Sequence, residues 1–150
     1  MADSFRKLAS SMYSLGDIIE RRTTEKVRQG ARVALSTVTE YTPVDTSAAL
    51  SSWIVSIGAP SQNIRGPLVP GSHGSTRDEV LLAVQAAGIN EINSSVRHAE
   101  DVVYITNNSD YIEDLNRGKS TQAPAGFIER SGDAGINAMR TVKLLGRGIL

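Results

Sequence analysis

Apolar and polar positions recur with two different periods along this chain, and the change of period divides it. Between residues 17 and 41, Val27, Ala31, Ala34, Leu35, Val38 and Tyr41 follow one another at steps of three and four, the spacing that draws one apolar stripe on an α-helix. Asp17 stands where a side-chain oxygen can cap that helix. The pattern stops at Tyr41-Thr42-Pro43, because Pro43 has no N–H to continue a helix and bars Thr42 from the helical region. Asp45, Thr46 and Ser47 then offer oxygens to cap a short turn containing Ala48, Ala49 and Leu50. The run Trp53-Ile54-Val55-Ser56-Ile57, β-branched and aromatic and ended by Gly58 and Pro60, predicts a strand. Residues 41–58 therefore form a corner whose structural parts are Pro43 as helix stop, Asp45 or Thr46 as cap, and Trp53 as the anchor of the strand on the helix stripe.

Weaker patterns flank this corner. Residues 1–16 carry Phe5, Leu8, Met12, Tyr13 and Leu15 among serines, which reads as a flexible or docking arm and not as an independent helix. Residues 59–75 are punctuated by Pro60, Gly66, Pro67, Pro70, Gly71 and Gly74, a loop long enough to be an assembly contact that orders on a partner, with Arg65, Pro67, Pro70 and His73 as its candidate residues. Ser75 or Thr76 caps a second helix, residues 76–93, with Asp78 and Glu79 in its first turn and Val80, Leu81, Val84, Ala87 and Ile92 on its stripe; Gly88, Asn90 and Asn93 predict fraying over 88–94. Val102-Val103-Tyr104-Ile105-Thr106 predicts a second strand, stopped by Asn107 and Asn108. A capped turn or short helix ends at Gly118, a linker spans 119–126, and a last helix runs from about Phe127 to Leu145 with Ile128, Ile136, Met139, Val142 and Leu145 on its stripe, interrupted by Gly132 and Gly135.

Charge changes the picture at one place. The chain has 150 residues, a single-domain length, with 40% apolar and 5% aromatic residues, and its 16 basic residues balance its 16 acidic ones. Within that balance Arg21, Arg22, Lys26, Arg28 and Arg32 crowd the polar face of the long helix against Glu20 and Glu25. On charge alone such a face is a solvated one; the alternative is a stripe that meets DNA phosphates. Cysteine is absent, so disulfides, thiolate metal sites and cysteine nucleophiles are excluded from this sequence. No apolar leader follows Met1 and no apolar run approaches a membrane span, so the expectation is an intracellular origin with no membrane partner.

The chemistry-bearing residues do not gather. His73 and His98 both sit in turn-rich stretches: His73 has no second histidine or carboxylate nearby to orient it, and His98, between Arg97 and Ala99, reads as a connector residue and not a metal site. Asp110, Glu113 and Asp114 lie on one short surface turn with nothing apolar to raise a pKa, which reads as a solvated face; the competing reading makes them metal ligands of a nuclease or hydrolase. No phosphate-cradling glycine loop, two-histidine helical motif or Gly-x-Ser-x-Gly elbow is present. The expectation is no enzyme, no cofactor and no metal.

Two stretches together resemble a family. Tyr41-Thr42-Pro43-Val44-Asp45-Thr46-Ser47-Ala48-Ala49-Leu50-Ser51-Ser52-Trp53 is similar to the Pro-Val-Asp-Thr-Gly, small-residue, aromatic segment of the tail-completion or neck proteins of long-tailed bacteriophages. Val103-Tyr104-Ile105-Thr106-Asn107, followed by Asp110-Tyr111-Ile112, Leu115, Gly118 and Gln122-Ala123-Pro124-Ala125-Gly126-Phe127, resembles that family's second signature. Order and spacing match over about residues 17–145; Ser47 replaces the usual glycine, and the helix at 76–93 looks like an insertion. The resemblance implies an α+β subunit with a small, mostly antiparallel sheet of three or four strands, a long N-terminal helix packed across it, the inserted helix and a C-terminal helix. It also implies a homo-oligomeric ring in the virion neck, assembled in the host cytoplasm between a head-connector protein and a tail-terminator or tail-tube protein. Arg21, Arg22, Lys26, Arg28 and Arg32 could then face DNA in the ring lumen; the alternative function is a nucleic-acid-binding module that uses this helix face alone.

Overall fold

The computed structural model describes residues 1–145; residues 146–150, which the one-domain expectation includes, lie outside the described residues. The fold is α+β: α1 (Ala2–Tyr41), α2 (Ala48–Ser51), β1 (Trp53–Ile57), α3 (Arg77–Ser95), β2 (Val103–Asn107), α4 (Ile112–Asn116) and α5 (Phe127–Thr141). The strands pair antiparallel, from Trp53 opposite Asn107 to Ile57 opposite Val103, with α3 between them in the chain, so among the described residues the expected three or four strands reduce to a single pair. Alternation then puts Trp53, Val55, Ile57, Val103 and Ile105 on one face, and that face meets the helices.

The long helix is longer than its periodicity indicated. It begins at Ala2, so residues 2–16 are helical and Asp17 lies within the helix instead of capping it. Serine is only a modest helix former, but Leu8, Ala9, Met12 and Leu15 favour the helix and no Pro interrupts it before Pro43. Its stop is as the sequence indicates: Tyr41 is the last helical residue and Thr42 turns to extended backbone (ψ 121°) ahead of Pro43.

Two apolar clusters share α1. Val38, Val44, Leu50, Trp53, Val80, Val84, Ile112 and Phe127 close around one end of the sheet; Ala31, Leu35, Ile92 and Val96 close around the other. Some stripe positions fall elsewhere. Tyr41 and Ile136 are exposed, Ala87 faces solvent, and α5 ends before Val142 and Leu145. The reason on α5 is geometric: Gly135, and not Ile136, is turned toward α1, where it crosses Gly30. α3 continues through Gly88 to Ser95, because Gly88 there lets Leu35 and Val55 approach the helix backbone.

The α1–α3 contact is held by bases at helix ends. Arg77 at the start of α3 donates to the Glu40 carbonyl (2.6 Å) at the end of α1, and Arg28 of α1 donates to the Val96 carbonyl (2.6 Å) at the end of α3. Each guanidinium meets carbonyls that a helix C-terminus leaves unpaired, next to the negative end of its dipole. Between them Gln85 reaches Thr39 Oγ1 (3.0 Å) and Arg32 reaches Asn93 Oδ1 (2.9 Å).

Candidate functional site

The corner at 41–53 and the later stretch at 103–127 meet in space. A cleft of about 310 Å³ lies between them, lined by Pro43, Val44, Thr46 and Ala49 of the corner and by Tyr111, Leu115 and Gln122 of the second stretch. Gln122 Oε1 accepts from the Val44 N–H (3.0 Å), and Asn107 Nδ2 donates to the Ala49 carbonyl (2.7 Å). Asn107 Oδ1 also accepts from Ser109 N (3.1 Å) and Ser109 Oγ (2.7 Å), which closes the turn after β2.

Hydroxyl groups build the corner. Thr42 Oγ1 donates back to the Val38 carbonyl (2.6 Å) and accepts from Trp53 Nε1 (2.8 Å), so the buried indole N–H is satisfied by the residue that ends α1. Ser47 takes φ 65°, the left-handed conformation that favours glycine. Its hydroxyl donates to the Val69 carbonyl (2.8 Å). The capping expectation is corrected here. Ser47 itself precedes α2 without a side-chain cap, Thr46 is exposed, and Asp45 points away to accept from the His73 N–H (2.8 Å). Thr76 likewise precedes α3 without capping it and donates to the Val69 carbonyl (3.0 Å) instead.

The loop at 59–75 is therefore tied from the corner side. Ser52 Oγ donates to the Arg65 carbonyl (2.8 Å), Ser51 Oγ accepts from Leu68 N (3.0 Å), and Gly74 N donates to the Asp45 carbonyl (3.0 Å). From the strand side Asn108 Nδ2 holds the Ser61 carbonyl (2.8 Å). Arg65, Pro67, Pro70 and His73 are all exposed on this tethered loop, with His73 at φ 53° and Arg65 at a small cleft also lined by Trp53, Ile54 and Val84. Asp45→Ala should free the His73 amide and cost about 1 kcal/mol. Amide exchange at His73 and Gly74 is the check, with both expected to exchange faster and Leu68 unchanged.

The five bases of α1 do not form one free stripe. Arg28 and Arg32 dock α3, and Arg32 also pairs with Glu25 (2.9 Å). Arg21 and Arg22 are exposed and Lys26 is half-buried; Arg21 falls on the same side of the helix as Arg28 and Arg32, while Arg22 and Lys26 lie on the other side of Glu25. On the turn before Gly118, Glu113 pairs with Arg117 (3.0 Å) and Asp114 with Lys119 (2.7 Å), and the Lys119 bond holds the Asp114 carboxyl below the usual carboxylate range. Asn116 has a function that no spacing signals: its Oδ1 accepts from Ile128 N (3.0 Å), capping α5 from a neighbouring element, and its amide holds Glu129 below the ordinary range.

His98 and Asp101 make a tight turn before β2. Asp101 Oδ2 accepts from the backbone N–H groups of His98 (2.8 Å) and Arg97 (2.6 Å), which lowers its pKa from the ordinary value, with the His98 bond the larger cause. A depressed carboxylate adds stability that is present above its unfolded pKa and lost as pH falls through its folded one. Titrating the Asp101 carboxyl by NMR should give a midpoint below that of an exposed aspartate, with the Arg97 and His98 amide shifts moving at the same pH. Asp101→Asn should remove that step.

Compared with protein-family models, with curated proteins and with solved structures, the chain matches none. What fold and site define is a class: a helix-rich α+β unit built around a hydroxyl-bonded corner, with a helical arm extending from it. Among the described residues no helix is long and apolar enough to cross a membrane, and no group of three histidine, aspartate or glutamate side chains is placed to hold a metal ion.

Proposed function

We propose that this chain is a structural subunit of the neck of a long-tailed bacteriophage, a ring-forming piece between head and tail that acts through its interfaces and not through catalysis. The observation that carries the reading is the meeting of the two family-like stretches at one corner. Ser47, standing for the family's glycine, has the backbone conformation that makes a glycine useful there. A second feature fits an assembly protein. Residues 2–19 of α1 extend about 27 Å beyond the packed body, at roughly 1.5 Å per residue, with Phe5, Leu8 and Met12 exposed. Apolar side chains carried on a projecting helix gain burial only from a partner. The partners proposed are further copies of the chain, a head-connector protein on one side and a tail-terminator or tail-tube protein on the other.

Interrupting the gene in the phage that encodes it should yield DNA-filled heads and separate tails that do not join, visible by negative-stain microscopy. Normal joined particles without the chain would refute the proposal. The nucleic-acid-binding alternative rests on Arg21, Arg22 and Lys26, since Arg28 and Arg32 already bond to α3. It requires DNA affinity of the monomer that falls steeply with salt and is lost in the Arg21→Glu, Arg22→Glu variant.

A further inference from the structure

The arm and the body carry two apolar surfaces that one molecule cannot bring together. On the arm, Phe5, Leu8, Met12, Leu15 and Ile19 follow at steps of three, four, three and four, a seam about 80° wide at roughly 100° per residue. The seam is turned by more than about 90° around the helix from Ala31, Leu35 and Val38, the α1 residues of the two apolar clusters, and lies in line with Gly30, which faces α5. On the body, a groove runs along α1 beside β2 and α5, with Val27, Ala34, Val103, Ile105 and Gly132 in its walls and Val102 and Ile136 exposed at its margin. α1 is one unbroken helix from Ala2 to Tyr41 and itself forms a wall of the groove, so the arm cannot fold back into it.

We propose that the arm of one copy lies in this groove of a neighbouring copy, its seam facing inward. The inference deepens the reading of the chain as a ring-forming subunit and rests on it. Length agrees: Val27 to Val38 spans about 17 Å of groove wall, and Phe5 to Leu15 about 15 Å of seam, at roughly 1.5 Å per residue. Charge agrees as well, since Arg6 and Lys7 flank the outer end of the seam while Glu100 and Asp101 line the groove. Small residues beside the seam, Ala9, Ser11 and Gly16, allow a close approach. The seam covers only about two heptads, too short to sustain an arm-to-arm zipper by itself. Arm and groove are different surfaces, so the contact is heterologous and, passed from each copy to the next, closes into a ring.

The cysteine-free sequence makes the test direct. In the full chain, Met12→Cys with Ile136→Cys, treated with a short bis-maleimide at roughly 100 μM protein, should give a ladder of covalent oligomers, and neither single variant should do so. Circular dichroism verifies that the variants fold, which the exposure of both positions favours. Phe5→Asp with Met12→Asp, which leaves the body untouched, should shift the unmodified chain to a monomer in light scattering. Dimers from Met12→Cys alone would overturn the inference in favour of an arm-to-arm pair. Oligomers that persist in the Asp variant would remove the arm-in-groove contact and leave the ring reading standing. A monomer at all concentrations, or an arm that instead carries the chain to anionic phospholipid vesicles, would overturn it too.

Discussion

Trp53→Ala is expected to destabilise the fold by ~3–5 kcal/mol, the range for deleting a large aromatic side chain from a packed core. Trp53 is 4% exposed and belongs to the cluster that joins α1, α2, α3, α4 and α5 around one end of the sheet. Its removal opens a cavity against Val38 and Phe127 and takes away the Nε1–H bond to Thr42. Thr42 Oγ1 keeps its own bond to the Val38 carbonyl, so no donor is orphaned, and the apolar term dominates. Trp53→Phe should therefore recover more than half of the loss. Chemical denaturation followed by far-ultraviolet circular dichroism measures both variants, because Trp53 is the chain's only tryptophan and its fluorescence disappears with it. A folded Trp53→Ala chain of unchanged stability that failed only to assemble would move this residue from the core to an interface.

The second large effect is expected at a glycine. A Cβ on Gly135 would stand 2.7 Å from the Gly30 carbonyl oxygen and 3.0 Å from Ala34 Cβ. The first of these is backbone within a helix, so relief requires α5 to move off α1 as a body. Gly135→Val should cost about 3 kcal/mol, the upper end for overpacking, despite the better helix propensity of valine than glycine. Gly132, one turn earlier on the same helix, has nothing within 4 Å of such a Cβ. Gly132→Ala should stabilise by about 0.5–1 kcal/mol through backbone entropy alone. Thermal melts of the two variants side by side are the check, and equal effects would mean that α5 does not cross α1 at Gly30.

Much of the corner was legible because its causes are local. Pro43 ends a helix through its own ring, and a β-branched run such as Trp53-Ile54-Val55 favours a strand wherever it lies. Both strands and the three principal helices follow from such periods and punctuation. The errors have the opposite origin. Asp45 and Thr46 are good caps in isolation, yet the Asp45 carboxylate is drawn to His73, 28 residues away. The stripe through Ile136 is sound as periodicity, but the helix rotates to bring Gly135 against Gly30, which apolar counting does not register. Residues 1–16 lack an apolar partner of their own, and their helix extends from α1, which is already nucleated in the body.

The site divides the same way. Two separated stretches could be singled out from their residues, but only the tertiary structure brings Gln122 to Val44 and Asn107 to Ala49. The arginines of α1 are the plainest case. Their charge and their common face follow from the sequence; that Arg28 bonds to the last turn of α3 while Arg21 stays in solvent depends on where α3 ends in space. Sequence alone determined what short-range sterics and hydrogen-bonding capacity determine: where the long helix stops and where the strands lie. The tertiary structure decided which partner each polar group takes and which apolar face is left bare, because burial and hydrogen-bond satisfaction are settled between elements far apart in the chain.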